Sequence, residues 1–511
     1  MAASNLFIIE APGKRRSMFD ALRRAGVRDI EIEATVGHLG SNPDGLKPLA
    51  VDSQYRETAY RIKPDKEHLA LRIASKAADA KRIYLATDDD QEGDVIARDA
   101  LLFCVPQEYR HKAVRMRLKA LGHAEVVAAL RDARPFDEIM AAQGDARRII
   151  DRLVGSLSGE AGAVGRVQGS LLLALAEQRP VIGVVTHTLA AADGKGDFVA
   201  KVPVFAGQPV PQAWALDQEV LIESTAKAAM AQAPWNHDQI ILASSLRTGA
   251  TLEAVQRAMQ TLYENGRMSY PRAKDTAITP ESAKRLGMVA RANGAMFRQE
   301  LFGAIRTVTG VHTHEAPNPT ALDVPVNRSF GMMSLEEQVL VTLTQNLIDC
   351  GIEARYDRPQ VAAVPLELRD LNWGRLTAIG TRLWAGPTER AGFQPWTREQ
   401  SLLHFMAKNE LGRPSTIITH IDKFLTRGLT TQTFDLTGKG REWAVNTAAV
   451  LGDRNISKMI EEFIENNRKA PSQMVSDMVE LLDLRSVKTA VEQQMELANH
   501  DQDEISAGYV P

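Results

Sequence analysis

Residues 81–94 read KRIYLATDDDQEGD, and the architecture of the N-terminal region follows from this stretch. Residues 83–86 (IYLA) are a short apolar run that is typical of a strand buried on both faces. A turn rich in carboxylates follows, and residues 94–103 (DVIARDALLF) have the apolar spacing of a helix. The stretch therefore predicts a strand, an acidic turn and a helix in succession.

A second unit of the same kind opens the chain. Residues 6–9 (LFII) form a continuous apolar run that Glu10 and a Pro-Gly break bring to an end. Residues 14–25 then carry apolar side chains at helical spacing, and Gly26 is a stop signal. Two such units predict a parallel sheet with helices on its faces. Because ligands bind beyond the carboxyl ends of such strands, we expect a site at Glu10 and residues 88–94.

Composition limits the class of protein. The chain has 511 residues, which implies several domains, and 61 Lys and Arg against 64 Asp and Glu give a net charge of −3. This balance does not support a uniformly basic nucleic-acid-binding surface, although a local groove can still be basic. Two cysteines, Cys104 and Cys350, exclude a four-cysteine zinc ribbon and a disulfide framework, and we expect buried thiols.

The organisation of the remaining chain alternates between helical and β-like stretches. Residues 120–180, 246–310 and 396–500 have helical spacing, whereas residues 185–245 and 355–395 contain short alternating runs broken by Gly and Pro. This order predicts that one domain is inserted into another. No stretch is long and apolar enough for a membrane span, and no signal peptide is recognisable, so we expect a cytoplasmic protein.

The acidic turn carries the most informative local pattern. Asp88, Asp90 and Glu92 alternate along it, so that three carboxylates can converge from one extended segment, and Glu10 ends the other strand. Carboxylate oxygens suit Mg²⁺, which keeps several waters and needs few protein ligands. We expect a magnesium site here. A solvated acidic loop is the alternative interpretation.

Taken together, the two strand-turn segments resemble the Toprim domain. The resemblance rests on residues 7–14 (FIIEAPGK) and residues 86–94 (ATDDDQEGD). Toprim domains occur in type IA and type II topoisomerases, in primases and in some nucleases. The domain alone therefore leaves the activity open.

Further segments narrow the family. In family order the chain carries segments similar to those of type IA topoisomerases, namely VGHL at 36–39, ARRIIDRLVG at 146–155, GRVQ at 165–168, SYPR at 269–272, HEA at 314–316 and GRPST at 412–416. On these motifs the chain is identified as a member of the type IA DNA topoisomerase family. The resemblance implies an isomerase that needs no ATP.

The resemblance also implies a multidomain α/β fold whose domains form a toroid. The Toprim domain would hold a Rossmann-like parallel sheet, and mainly helical domains and a β-rich arch would complete the ring. The corresponding residues are 1–135 for the Toprim domain, 136–184 and 396–500 for a helical DNA-binding gate domain, 185–245 and 346–395 for the β-rich arch, 246–345 for a helical domain carrying the nucleophile, and 501–511 for an acidic tail.

By resemblance, Tyr270 is the nucleophile. Its phenolate would attack a DNA phosphate and stay attached to the 5′ end, which conserves the phosphodiester energy for resealing. Pro271 restricts Tyr270 to extended conformations, and Arg272 would stabilise the charge that develops on the phosphate. Glu10 would protonate the leaving 3′ oxygen, and Lys14 would bind the phosphate as a point charge.

The remaining site residues also follow from the family. Mg²⁺ would be held by Glu10, Asp88, Asp90 and Glu92, and His314 would lie near the scissile phosphate. The predicted DNA contacts are His38, Arg147, Arg148, Asp151, Arg166, Gln168, Glu315, Arg413, Ser415 and Thr416. Local pattern alone offers other interpretations, since Arg147 and Asp151 are spaced as an ion pair on a helix and Ser415 is a plausible N-cap.

Two positions depart from the family pattern. Ala273 and Lys274 follow Arg272 where Ser or Thr and then Asp are usual, and Asn318 stands where an arginine is common. We nevertheless predict an active enzyme that relaxes negatively supercoiled DNA as a monomer, because Tyr270, Arg272 and the acidic residues are retained. The alternatives are a Toprim-type nuclease or primase-like enzyme, which would not need Tyr270, and a DNA clamp with impaired catalysis.

Overall fold

The computed structural model describes residues 4–45, 49–156, 165–303, 305, 314–382, 384, 389–452 and 455–484. The chain divides into two compact units. The first is formed by described residues within Met1–Ala174, Glu410–Gly412 and Gly438–Pro511, and the second by those within Leu175–Asn409 and Arg413–Thr437. Among the described residues, no helix is long and apolar enough to cross a membrane. The predicted tail at 501–511 lies outside the described residues.

Strands and helices occur in both units. Within the described residues the strands are, in chain order, β1 (Asn5–Ile9), β2 (Ile30–Ala34), β3 (Gly40–Ser41), β4 (Arg61–Ile62), β5 (Arg82–Leu85), β6 (Ala113–Arg115), β7 (Arg134–Pro135), β8 (Val181–Ala191), β9 (Phe198–Phe205), β10 (Ala215–Val220), β11 (Ile222–Ala229), β12 (Glu353–Pro359), β13 (Arg375–Ala378) and β14 (Gly392–Pro395). The helices are α1 (Arg15–Arg24), α2 (Glu67–Asp79), α3 (Gln91–Asp99), α4 (His123–Arg131), α5 (Ala142–Ser156), α6 (Arg166–Glu177), α7 (His237–Thr248), α8 (Leu252–Glu264), α9 (Pro280–Ala292), α10 (Leu335–Asp349), α11 (Arg398–Lys408), α12 (Ile417–Thr426), α13 (Gly438–Leu451), α14 (Ile456–Asn466) and α15 (Pro471–Leu481).

The predicted parallel sheet is present in the first unit. Its strand order is β2-β1-β5-β6-β7, in which β1 is parallel to β2 and β5, β5 is parallel to β6, and β7 is antiparallel to β6. The predicted burial of β1 on both faces is confirmed, because Leu6 and Ile8 lie in one apolar core whereas Phe7 and Ile9 lie in another. Alternate side chains point to opposite faces of a strand, so this segment separates two cores.

Both predicted strand-turn-helix units are confirmed, with shifts at their ends. Gly26 follows α1 with a φ of 79°, which is the left-handed conformation that often ends a helix. α3 begins at Gln91 rather than at residue 94, because Asp90 occupies the N-cap position and its side chain accepts the Gly93 N–H. The predicted end of this helix, Ala100–Cys104, is a π-helical turn.

A helical layer completes the first unit. α5, α14 and α15 enclose an apolar core whose members include Ile150 and Ile460. The Gln143 amide donates to the Ile464 carbonyl at 2.7 Å, and its Oε1 accepts from Gln91 Nε2 at 3.0 Å. The helix that carries the predicted motif at 146–155 is therefore fixed both to the acidic turn and to the last described helices.

The second unit contains two further sheets and helices α7–α12. β8 is antiparallel to β9 and β14 and parallel to β10, and β11, β12 and β13 form an antiparallel sheet. The predicted β-like stretches therefore contain strands, but α7 begins already at His237, because Asn236 and Gln239 form a capping box. The predicted helical stretch 246–310 is interrupted after α8 by an extended segment that carries Tyr270.

The division into four domains and the toroid stay predictions. Residues 396–500, which we expected to fall in one domain, contribute to both compact units, since Arg413–Thr437 belongs to the second and the described residues from Gly438 onward belong to the first. The multidomain α/β class is as predicted.

Candidate active site

The acidic turn lies between the carboxyl end of β5 and the start of α3. Asp90 Oδ1 accepts the Gly93 N–H at 2.6 Å, and the Thr87 hydroxyl donates to the Gly93 carbonyl at 2.5 Å. A Cβ at position 93 would lie 2.2 Å from the Asp88 carbonyl oxygen, so the turn closes this tightly only with glycine. The backbone of the turn is therefore set by local contacts.

A buried arginine on β6 forms hydrogen bonds to the backbone of this turn. Arg115 is 3% exposed, and its guanidinium donates to Asp94 Oδ1 at 2.8 Å and to the Asp88 carbonyl at 2.6 Å. It also donates at 2.8 to 3.1 Å to the carbonyls of Leu85, Thr87 and Met116. The sequence analysis missed Arg115, since a single arginine in a strand carries no motif. Its five planar donors match this set of acceptors.

A second arginine binds other carboxylates of the turn. Arg117 donates to Asp89 Oδ1 at 2.7 Å and to Asp94 Oδ2 at 2.8 Å. Asp89 and Asp94 therefore have cationic partners on β6 and on the segment that follows it. The three carboxylates predicted as metal ligands have other contacts: Asp88 pairs with Lys14, Asp90 accepts the Gly93 N–H, and Glu92 pairs with His38.

Lys14 and Asp88 form a buried ion pair. Lys14 is 1% exposed and ends the 3₁₀ turn Pro12–Lys14 after β1, and its Nζ contacts Asp88 Oδ1. The carboxyl ends of β1 and β5 therefore meet at this pair, as expected for adjacent parallel strands. The phosphate contact predicted for Lys14 stays a prediction.

His38 and Glu92 meet at the same edge of the sheet. Val36 and Gly37 have φ values of 56° and 81°, and this left-handed turn brings His38 Nε2 to 3.0 Å from Glu92 Oε2. Burial lowers the pKa of His38, but the hydrogen bond and charge of Glu92, with Asp99 and Glu10, outweigh it and raise the pKa. The Glu10 carbonyl accepts the Gly37 N–H at 3.2 Å, so this turn is joined to the end of β1.

The donor set at this edge fits a hard divalent cation. Glu10, Asp88, Asp90 and Glu92 supply only oxygen atoms, and Mg²⁺ is commonly bound through one or two carboxylates with waters completing its shell. In the part of the chain that the structure describes, no group of three or more His, Cys, Asp or Glu side chains is arranged as a metal site. Which of the four carboxylates hold the ion is therefore a proposal.

A cavity of about 430 Å³ opens next to Glu92 in the first unit. Its lining residues are His38, Gly40, Ser41, Asn42, Tyr60, Lys63, Glu92, Gly144, Arg147, Arg148, Asp151 and Arg152. The Arg148 guanidinium lies 4.0 Å from the centre of the Tyr60 ring, a cation–π contact that holds both side chains at the cavity wall. Basic side chains of α5 therefore lie beside the acidic turn.

The arginines of α5 and α6 have protein partners. Arg147 donates to both carboxylate oxygens of Glu461, at 2.7 to 3.2 Å, and Arg166 donates to Glu461 at 2.7 Å and pairs with Asp151. Arg148 pairs with Glu57 at 2.6 Å and remains partly exposed. Gln168 is buried. The DNA contacts predicted for these residues stay predictions, and Glu461 was missed because it lies about three hundred residues away in sequence.

Tyr270 is enclosed by aromatic side chains in the second unit. It is 3% exposed, its ring stacks on His314 with centroids 4.4 Å apart, and Tyr263 approaches edge-on at 5.7 Å. Arg272 Nη2 donates to Gln260 Oε1 at 3.3 Å. The structure thus brings Tyr270 and His314 together, as the motifs predicted.

Asn318, which departs from the family pattern, and the motif residue Glu315 both form hydrogen bonds within the second unit. Asn318 is fully buried, exchanges two 2.9 Å hydrogen bonds with Ser269, and accepts from Arg285 at 2.9 Å. Glu315 accepts from the Thr279 N–H at 2.8 Å and from the Ser282 hydroxyl at 2.7 Å, at the start of α9. The two bonds between Asn318 and Ser269 hold the residue that precedes Tyr270. The DNA contact predicted for Glu315 stays a prediction.

The predicted N-cap at Ser415 is wrong. α12 begins at Ile417, so Thr416 occupies the N-cap position, and its side chain makes no cap hydrogen bond. The Thr416 N–H instead donates to the Arg413 carbonyl at 2.9 Å, which continues a turn before the helix. The DNA contacts predicted for Arg413, Ser415 and Thr416 stay predictions.

Comparisons with known proteins support the motif assignments. A family model described as "Toprim domain" matches residues 5–120. DNA topoisomerase 1 of Campylobacter jejuni is 29% identical over 186 residues, which are 35% of this chain and 26% of that protein. DNA topoisomerase 1 of Aquifex aeolicus is 22% identical over 483 residues, which are 83% of this chain and 86% of that protein. The chain is thus similar to DNA topoisomerase 1 proteins along most of its length, and to the Toprim domain over residues 5–120.

A solved topoisomerase I has a similar fold. Full-length topoisomerase I of Thermotoga maritima matches with a TM-score of 0.64 and 18% identity, over 93% of this chain and 89% of that chain. Toprim is a metal-binding fold, in agreement with the carboxylates at the edge of the sheet. The chain spans about a quarter of the length of the Campylobacter relative.

Proposed function

We propose that this chain is a Mg²⁺-dependent type IA DNA topoisomerase with Tyr270 as its nucleophile. It would cleave one strand, pass another strand through the break and reseal it without ATP, relaxing negatively supercoiled DNA and supporting decatenation. The observation that carries the proposal is the stacking of Tyr270 on His314, with Arg272 two residues on, in a chain that also has a Toprim acidic turn. We propose single-stranded DNA segments as the substrate, and a cytoplasmic monomer as the working form.

Cleavage would exchange one phosphoester for another. Tyr270, having released its phenol proton to solvent, attacks the phosphorus as the phenolate; a bond from Oη to the 5′ phosphate forms, and the bond to the 3′ oxygen breaks. Glu10 gives its proton to that leaving oxygen, so that a 3′ hydroxyl results. Arg272 would balance the negative charge that develops on the phosphate oxygens. Religation reverses these steps, with Glu10 taking the proton back.

The Toprim edge would hold the DNA end that is not covalently bound. A divalent cation on Glu10, Asp88, Asp90 and Glu92 would supply the positive charge that positions the 3′ hydroxyl and the phosphate for religation. Lys14, paired with Asp88, would add a fixed positive charge at this edge. Holding the end close makes resealing effectively intramolecular.

The basic cavity of the first unit would accommodate the bound strand. Arg148 and Arg152 line it together with Tyr60, and single-strand sites combine basic side chains with aromatic stacking surfaces. Because Tyr270 is only 3% exposed, we infer that its surroundings change when DNA binds.

Relaxation of a negatively supercoiled plasmid tests the proposed function. We expect relaxation by the wild type with Mg²⁺, and none with EDTA or by Tyr270→Phe with Mg²⁺. Tyr356→Phe, on β12 of the same unit, is the matched control and should relax normally. Nicking by Tyr270→Phe would indicate a Toprim nuclease instead. DNA binding by the wild type without relaxation would indicate a clamp.

A further inference from the structure

The start of α7 is hydrogen bonded to the backbone that follows Tyr270. The His237 N–H donates to the Ala273 carbonyl at 3.0 Å, and the Asn236 amide donates to the Lys274 carbonyl at 3.4 Å. His237 Nδ1 lies 2.8 Å from the Pro271 carbonyl oxygen. Two adjacent residues of one helix end therefore contact three of the four residues after Tyr270.

The ring contact defines the state of His237. A carbonyl oxygen only accepts, so Nδ1 must carry the hydrogen and donate to Pro271. His237 is 1% exposed, and burial lowers the pKa of its ring, although Asp238 and the carbonyls of Pro271 and Pro414 oppose this shift. The hydrogen bond to Pro271 requires a hydrogen on Nδ1, and burial disfavours the charged form of the ring.

A packing role alone does not account for a histidine here. Its second nitrogen, Nε2, is buried and makes no hydrogen bond of normal geometry within the described residues, although the Pro414 carbonyl is close enough to oppose the lowering of the ring's pKa. A buried polar atom without a partner is costly, and an apolar side chain of similar size would avoid that cost. The Nδ1–H bond to Pro271 is what the histidine provides and an apolar residue would not.

The Pro271 carbonyl is placed so that a hydrogen bond to it can orient both Tyr270 and Arg272. The Pro271 carbonyl lies in the peptide plane between residues 271 and 272, so a hydrogen bond to its oxygen holds the orientation of that plane. That plane sets the direction in which the Arg272 side chain leaves the backbone. Pro271 also restricts Tyr270 to extended conformations, so fixing Pro271 fixes both neighbours.

We propose that His237 is a positioning residue that orients Tyr270 and Arg272 through the Nδ1–H bond to Pro271. This inference rests on the proposed function, because it assigns His237 to the geometry of the covalent step and not to DNA binding. His237 acts through the backbone of Pro271.

Two polar substitutions separate this role from packing. In His237→Asn, the Nδ2 group stands at the position of ring Nδ1 and can donate to Pro271, whereas in His237→Gln the amide reaches further out. His187→Leu is the matched control, because His187 is also buried in the second unit and its Nδ1 accepts the Trp214 N–H at 3.2 Å. The measurements are the rate of covalent adduct formation at saturating single-stranded DNA, the Kd for that DNA, and Tm.

We expect His237→Gln to form the adduct about 10- to 100-fold more slowly, the range for a displacement of about 1 Å, with an unchanged Kd. His237→Asn should recover most of the rate, and His187→Leu should lower Tm without slowing the adduct step. Equal rates in the two His237 variants, or a loss that follows Tm in all three proteins, would overturn the inference. If the wild type forms no adduct, or Tyr270→Phe forms one, the proposed function itself fails, and this outcome is distinct from the others.

Discussion

The imidazole of His314 stacks on the phenol ring of Tyr270, with centroids 4.4 Å apart and ring planes 29° apart. This contact covers one face of the proposed nucleophile, and Tyr263 covers its edge. The predicted catalytic pair is therefore assembled in the second unit, with Tyr270 closed to solvent.

Removing the stacking partner should expose Tyr270. Since an aromatic pair contributes about 0.5–1.5 kcal/mol beyond its buried area, we expect His314→Ala to raise the nitration rate of Tyr270 by about 2- to 10-fold. Tetranitromethane labelling followed by peptide mass spectrometry measures the rate, and Tyr109 in the first unit is the internal reference. An unchanged rate at Tyr270 would mean that other contacts close the site.

Arg115 should determine the rigidity of the acidic turn. Its substitution by Gln leaves the buried Asp94 with one fewer cation and several carbonyls without their donors, a change that costs about 3–5 kcal/mol. We expect hydrogen exchange of the amides at 88–94 to accelerate by at least about 100-fold. Arg131→Gln, an exposed arginine paired with its neighbour Asp132, should leave exchange in the turn unchanged. Equal exchange in the two variants would contradict the role of Arg115.

Neighbouring arginines of α5 should behave differently towards DNA. Arg148 lines the basic cavity and is partly exposed, so Arg148→Ala should weaken single-strand binding and reduce the salt slope of the affinity by about 0.7. Arg147 also lines the cavity, but it is buried and its guanidinium is bound to Glu461, so Arg147→Ala should lower Tm and leave the salt slope unchanged. Fluorescence anisotropy across a salt series tests both. A reduced slope in Arg147→Ala alone would show that the assignments are reversed.

Both thiols should be unreactive in the folded protein. Cys104 and Cys350 are buried and free, as predicted, and burial raises the pKa of each thiol to about 12. At pH 8 the reactive thiolate is then a very small fraction, whereas an unfolded cysteine with a pKa of about 8.5 is substantially ionised. A disulfide reagent should label neither residue before denaturation and both afterwards. Labelling should rise with pH only as pH approaches 12 or as the protein unfolds. Rapid labelling of the native protein at pH 8 would contradict this.

Much of the first unit could be predicted from local pattern. The apolar run at residues 83–86, the acidic turn and the following helix occur as expected, because a strand buried on both faces and a capped helix have short-range signatures. The ends of the two strands also meet at one edge of the sheet, as expected for adjacent parallel strands, although the Lys14–Asp88 pair found there was not predicted. These features depend on residues close together in sequence or on one rule of topology.

Other parts of the site depend on contacts between distant residues. Arg115, Glu461 and His237 carry no motif, and their roles appear only when the fold brings them to Asp88, Arg147 and Pro271. The predicted N-cap at Ser415 was wrong because a short turn precedes α12, which begins at Ile417. Residue preferences for the N-cap position do not predict such a shift. Side-chain partners of this kind require the three-dimensional arrangement.

Mass mapping of the trapped covalent adduct tests the central claim most directly. The wild type is incubated with a labelled single-stranded oligonucleotide and Mg²⁺, denatured with detergent, and digested with nuclease and trypsin. Cleavage after Arg267 and Arg272 yields the peptide MSYPR, in which Tyr270 is the single tyrosine. The account predicts that this peptide carries a 5′-phosphate-linked nucleotide and that Tyr270→Phe yields no adduct. A nucleotide on any other peptide, or an adduct in Tyr270→Phe, would contradict it.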